Sequence, residues 1–202
     1  MTRVRPRIFG RRLERAFFLR ATPIVARELL GRILLHDSPE GPTAGIVVET
    51  EAYLRDDPAS HSFRGLTPRN ASMFGPPARA YVYLIYGVHH CLNAVTAPEG
   101  IGEAVLVRAL EPIEGLELMR TRRGDVSDRE LCNGPGKLVQ AMGIGRSHDG
   151  VDLVRGPLRF HDARSSPPAR ASIVRGARVG ITNGTDLPLR FYLRDNRFVS
   201  RG

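Results

Sequence analysis

The chain has 202 residues, 42% of them hydrophobic, which allows a sizeable core without disulfide or metal staples and excludes a disordered chain. It carries 30 Lys and Arg against 21 Asp and Glu, a net charge of +9, and a surplus of that size points to a polyanionic partner. Its longest apolar runs, such as Tyr81–Val88 and Ala104–Val107, fall far short of the roughly 20 residues of a membrane helix.

In chain order, the first twenty residues hold seven arginines (Arg3, Arg5, Arg7, Arg11, Arg12, Arg15, Arg20) and one acid, Glu14. They read as a basic arm over 1–19, either solvated or touching phosphates. No signal-peptide core is visible there, so a cytoplasmic protein is expected, nucleoid-associated if bacterial. Thr22–Leu35 has helical spacing, with Val25, Leu29, Leu30 and Ile33 as its apolar stripe. Gly45–Tyr53, Ala80–Tyr86, His90–Thr96 and Glu103–Leu110 are rich in β-branched and aromatic residues and read as strands. Pro112–Arg123 reads as a helix with proline in its first turn, and Pro135–Met142 as a second, shorter one. Arg155–Arg170 is rich in Pro and Arg and reads as a surface loop. Strands return over Ile173–Thr182 and Leu189–Val199. Early strands, middle helices and late strands predict an α+β fold over 20–202: a single domain with a curved, mostly antiparallel sheet flanked by helices.

Chemistry concentrates in two segments. In Val47-Val48-Glu49-Thr50-Glu51-Ala52-Tyr53, strand alternation places Val47, Glu49, Glu51 and Tyr53 on one face. Two carboxylates and a tyrosine so arranged suit acid–base work, although an exposed strand with ordinary solvated carboxylates reads the same way. The second segment runs from Tyr81 to Asn93. Gly87 can supply a tight turn that puts Tyr86 at a hairpin tip, where an aromatic on a basic protein can wedge between base pairs. Tyr81 reads as core, whereas Tyr83 and Tyr86 fit a core or a functional role equally well. Asn93 sits in an apolar strand and needs a hydrogen-bond reason. Arg108 interrupts Ala104-Val105-Leu106-Val107 and, if buried, must pair with a carboxylate such as Glu51. His61 follows the 55–60 loop.

Metal chemistry finds little support. His89 and His90 are adjacent and face opposite ways on a strand, and no HxH or HExxH spacing occurs. Cys91 and Cys132 lie far apart without CxxC spacing and read as reduced core thiols. Gly134-Pro135-Gly136-Lys137 is too short for a phosphate-cradling P-loop, but its helix start suits a phosphate contact by Lys137, the single lysine. On residues alone, a nucleic-acid enzyme, a non-catalytic nucleic-acid-binding module and a metal-dependent nuclease all stay open.

The ordered series Glu49-Thr50-Glu51-Ala52-Tyr53, His61-Ser62, Thr67-Pro68-Arg69-Asn70, Met73-Phe74, Tyr81 through Gly87, Arg108-Ala109-Leu110-Glu111-Pro112 and Gly134 through Leu138 resembles the alkyladenine (3-methyladenine) DNA glycosylase family. The resemblance runs from about residue 20 to the C-terminus. It implies a glycosylase domain over 20–202, without metal or cofactor, acting on double-stranded DNA that contains damaged purines, with a monomer expected. It implies further that Glu51 activates water and Arg108 helps hold it. Tyr53 and Tyr83 would sandwich the flipped base, with His61 on the pocket wall, and Asn93 would obstruct the exocyclic amine of normal guanine. Tyr86 would fill the vacated stack, and the 178–181 segment would lie near the water. Arg69 and Lys137 are the expected phosphate contacts. Val88 and His89 depart from the bulkier residues that relatives can carry after the wedge.

Overall fold

The computed structural model describes residues 9–85, 87–164 and 168–200. Nine strands among these form one curved antiparallel sheet: β1 (Phe9–Arg12), β2 (Ile33–Ser38), β3 (Gly41–Tyr53), β4 (Ala80–Ile85), β5 (His89–Val95), β6 (Ala104–Glu114), β7 (Leu158–Ala163), β8 (Ile173–Gly176) and β9 (Arg190–Leu193). Their order is β1-β7-β2-β3-β6-β5-β4, and β9 branches from β3 to carry β8. Helices α1 (Arg15–Phe18), α2 (Thr22–Leu29), α3 (Leu116–Arg123), α4 (Asp128–Leu131) and α5 (Pro135–Met142) complete the α+β domain. No helix among the described residues is long and apolar enough to cross a membrane.

The main core lies between one face of the sheet and the helices. Val25, Ala26 and Leu29 of α2, Val105 and Val107 of β6, and Leu138, Ala141 and Met142 of α5 meet there. Burial of this kind stabilises by about 25 cal/mol per Å² of apolar surface. Core membership reaches Leu13 and Phe18, and β1 pairs with β7, so residues from Phe9 onward belong to the packed fold. Arg3, Arg5 and Arg7 of the expected arm lie outside the described residues.

Five expected elements have different bounds, each for a local reason. The helix expected over Thr22–Leu35 stops at Leu29, because Leu30 is extended and Gly31 takes φ +78°. Ile33, Leu34 and Leu35 then enter β2, buried on both faces, where a continuous apolar run mimics a helical stripe. Pro112 opens no helix. It stays in β6 opposite Gly45, and the helix begins only after Gly115, where a Cβ would lie 2.4 Å from the Pro42 carbonyl. The stretch read as a loop over Arg155–Arg170 contains β7, whose Leu158 and Phe160 bury a short alternation between arginines. The strands expected over Ile173–Thr182 and Leu189–Val199 shrink to β8 and β9, because residues 177–188 turn away to cover the end of β3.

Candidate active site

A double slip in strand register builds the site. β3 and β6 fall out of step between Val47 and Glu49 and again between Glu49 and Thr50, where Arg108 is the extra residue on β6. Bulges of this kind re-aim side chains. Val47 faces the main core, and so do Thr50, whose hydroxyl donates to the Ala26 carbonyl at 2.8 Å, and Ala52. Val47 therefore does not share a face with Glu49, Glu51 and Tyr53, contrary to plain alternation. The bulge turns Glu49 and Arg108 together to the opposite side of the sheet.

There Glu51 is fully buried. Its Oε1 accepts the Val179 N–H at 2.8 Å and lies 3.2 Å from Arg108 Nη1, while its Oε2 accepts the Tyr53 hydroxyl at 2.8 Å. The two hydrogen bonds use two of the roughly four lone-pair sites of an ionised carboxylate. Burial, then the Glu51 charge, push the Tyr53 phenol well above its ordinary range, so it stays a donor. Glu49 is equally buried and accepts from Arg108 Nε at 3.1 Å, Arg190 Nε at 2.7 Å, and the Ser200 N–H and hydroxyl at 2.7 and 2.9 Å. A second buried pair supports this floor. Arg178 forms a two-pronged ion pair with Asp57, donates to the Ala52 carbonyl at 3.1 Å, and lies 4.7 Å over the Tyr53 ring. The pair pins residues 178–183 across Glu51 and Tyr53.

Above the floor opens a cavity of about 380 Å³, a size that suits a small planar ligand. Tyr53, His61, Tyr83, Asn93 and Arg108 line it together, with Glu51 enclosed behind Tyr53 and Arg108. The opposite wall is aromatic and neutral. The His61 ring meets Tyr83 edge-on at 4.5 Å, and its Nδ1 lies 2.8 Å from the Tyr81 hydroxyl. Burial, then the nearby Arg69 charge, lower the His61 pKa, so the ring is neutral at neutral pH. Burial raises the Tyr83 phenol strongly and the Tyr81 phenol to about 12. The Asn93 amide is held by its donation to the Tyr81 carbonyl at 3.0 Å. Tyr81, read as core, is buried but also lines the cavity.

Two expected residues stand apart from this cavity. Arg69 is exposed and donates to the Leu84 carbonyl at 3.1 Å. Lys137 donates to Asn133 at 3.0 Å and lines a neighbouring cavity of about 550 Å³, which shares Arg108 and Pro135 with the first. Tyr86 lies outside the described residues. Sequence reasoning missed Asp57, Arg190 and Ser200, and left Glu49 without a partner. An arginine within the apolar β9 could have signalled Arg190, but nothing local marks Ser200. Among the described residues, no group of three or more His, Cys, Asp or Glu is placed to hold a metal.

The chain is similar to known proteins over nearly its whole length. A family model described as methylpurine-DNA glycosylase matches residues 16–197. A protein of Methanoculleus marisnigri named "Putative 3-methyladenine DNA glycosylase" is 55% identical over 190 residues, covering 94% of this chain and 98% of its own. Proteins of the same name from Burkholderia lata (51% identical, 96% of this chain, 94% of its own) and Carboxydothermus hydrogenoformans (47%, 94% and 98%) align comparably. On the family model and these relatives, the chain belongs to the methylpurine-DNA glycosylase family.

Proposed function

We propose that the chain is a monofunctional DNA glycosylase that flips alkylated or deaminated purines out of duplex DNA and hydrolyses their N-glycosidic bond with a water activated by Glu51, the opening step of base excision repair. The substrates proposed are 3-methyladenine, 7-methylguanine, hypoxanthine and etheno adducts. The observation that carries this reading is a buried carboxylate, in contact with Arg108 and Tyr53, directly behind the floor of an aromatic cavity that those two residues line.

The glycosidic bond is hidden in the stack, so the nucleotide must be extruded at a cost of a few kcal/mol. Stacking on tyrosine offsets that cost by about 1–3 kcal/mol per base. Tyr53 and Tyr83 line the cavity and are the residues proposed to sandwich the base, with His61 on its edge. Asn93 is proposed to reject the exocyclic amine of guanine, and Tyr86 to fill the vacated stack. Bond cleavage develops cationic character on the sugar, as in other glycoside hydrolyses. Glu51 stabilises that charge and takes a proton from the attacking water, which Arg108 orients. A 3- or 7-alkylated purine is already cationic and leaves as the neutral base without an acid. Arg69, Lys137 and the +9 net charge are proposed to grip the phosphates. No lyase step is proposed: such a step needs an amine nucleophile, and Lys137 sits in the neighbouring cavity, bonded to Asn133.

The test is free-base release from methylated duplex DNA in the presence of EDTA. Release of 3-methyladenine and 7-methylguanine with intact abasic strands is the expected result. Binding without release would mean a nucleic-acid-binding module, and strand cutting abolished by EDTA would mean a nuclease.

A further inference from the structure

Arg108 serves two carboxylates at once. Its Nε donates to Glu49 at 3.1 Å, its Nη1 lies 3.2 Å from Glu51, and its Nη2 donates to the Ser200 hydroxyl at 3.4 Å. Glu49 in turn takes Arg190 and both the amide and hydroxyl of Ser200. Two carboxylates thus face two guanidinium groups, all nearly or fully enclosed, with side-chain exposures of 0% for both glutamates, 7% for Arg108 and 14% for Arg190. Burying such a group is costly, and apolar residues of similar volume would serve the fold as well or better. The paired register slips around Glu49 bring it together with Arg108.

We propose that Glu49 is a positioning residue for glycosidic-bond hydrolysis: it holds Arg108 by Nε and divides that guanidinium between two carboxylates, fixing its Nη1 contact to Glu51. The proposal rests on the reading of Glu51 as the base. Without the Glu49 charge, Arg108 would serve Glu51 alone. An undivided cation stabilises the ionised carboxylate and weakens it as a proton acceptor, whereas a like charge nearby strengthens it. Arg190 works in the opposite sense: it donates to the same Glu49 oxygen as Arg108 and pairs in register with Glu51 across β3 and β9, so its positive charge offsets that of Glu49 at Glu51.

The charge pattern makes a two-sided prediction for the acid limb of single-turnover release of 7-methylguanine from duplex DNA. In Glu49→Gln the limb moves to lower pH by about one unit, and the plateau rate falls roughly three- to ten-fold. In Arg190→Met the limb moves to higher pH. Damaged-duplex binding and the circular dichroism spectrum, measured alongside, report folding. If both variants lose rate equally at every pH while their limbs stay at the wild-type position, Glu49 only supports the fold and the proposal is overturned. Should Glu49→Gln fail to fold, the Arg190→Met limb decides alone, and an unmoved limb overturns the proposal. Glu51→Gln is the control. If it retains wild-type rates, the base is not Glu51 and both readings fall, which differs from an inactive Glu51→Gln accompanied by unmoved limbs in the other two variants.

Discussion

The two sides of the cavity are built by opposite means. The floor is charged, and its partners are far apart in sequence: Glu49 with Ser200, Arg178 with Asp57, and Glu51 with Val179. The facing wall is neutral and more local, made by β4, β5 and the loop that carries His61, with rings in contact. A charged floor concentrates energy in a few pairs, so single substitutions should break it. An aromatic wall spreads its energy over many weak contacts, so substitutions there should change what is held more than whether the protein folds.

The sharpest break is expected at Asp57. Arg178 is fully enclosed, and Asp57→Ala leaves its charge buried without that partner. A stability loss of about 3–5 kcal/mol should follow in urea denaturation. A loss below about 1 kcal/mol would mean that water or another group compensates Arg178, and the contrast between floor and wall would weaken.

On the wall, Tyr83→Leu should leave stability within about 1–2 kcal/mol of wild type. Half-saturation by damaged duplex should weaken by roughly ten- to a hundred-fold, the value of one lost base–aromatic stack. Unchanged half-saturation with a collapsed urea midpoint would make Tyr83 a core residue and nothing more.

The smallest effect concerns pH and histidine. Burial is the leading cause that lowers the pKa of His36 and His148, whose Nε2 atoms lie 3.1 Å apart. A lowered folded value means that the unfolded chain takes up the proton first. This contribution to stability is complete above the ordinary histidine value of 6.5 and is lost as pH falls below it, by at most about 1.4 kcal/mol per pH unit for each of the two. The urea midpoint should therefore fall between pH 7 and pH 5, and His36→Asn should flatten that fall. Equal slopes for the two proteins would place the acid sensitivity elsewhere, for example in the buried floor.

The same contrast explains what was legible in the sequence. Wall residues announce themselves: Tyr81, Tyr83 and Asn93 alternate along two strands joined near Gly87, and strand alternation puts them on one face. The fold class followed from the same periodicities. The floor was half legible. Glu51, Tyr53 and Arg108 could be singled out as polar residues in apolar strands, and Glu51 could be preferred over Glu49 only through family resemblance. The register slip at Val48 and Arg108 was hidden, because alternation continues through a bulge without a mark in the residue types. Asp57 stands beside an ordinary Asp56, and Ser200 lies near the C-terminal end, 151 residues from its partner Glu49. Contacts at that separation leave no local pattern. Elements bounded by Gly31 and Gly115 were misread for a related reason: the apolar run after Gly31 and Pro112 before Gly115 each suit two structures locally, and tertiary pairing with β3 decides between them.

The buried Glu51 carboxylate is proposed to activate the hydrolytic water. Parallel measurement of binding and single-turnover base release by Glu51→Gln on one 7-methylguanine duplex tests it most directly. Binding is expected to stay within a few-fold of wild type, with release slowed by at least about 10²–10⁴-fold, the usual contribution of a general base. Release within ten-fold of wild type, with binding intact, would contradict it and move the chemistry to another group in the cavity.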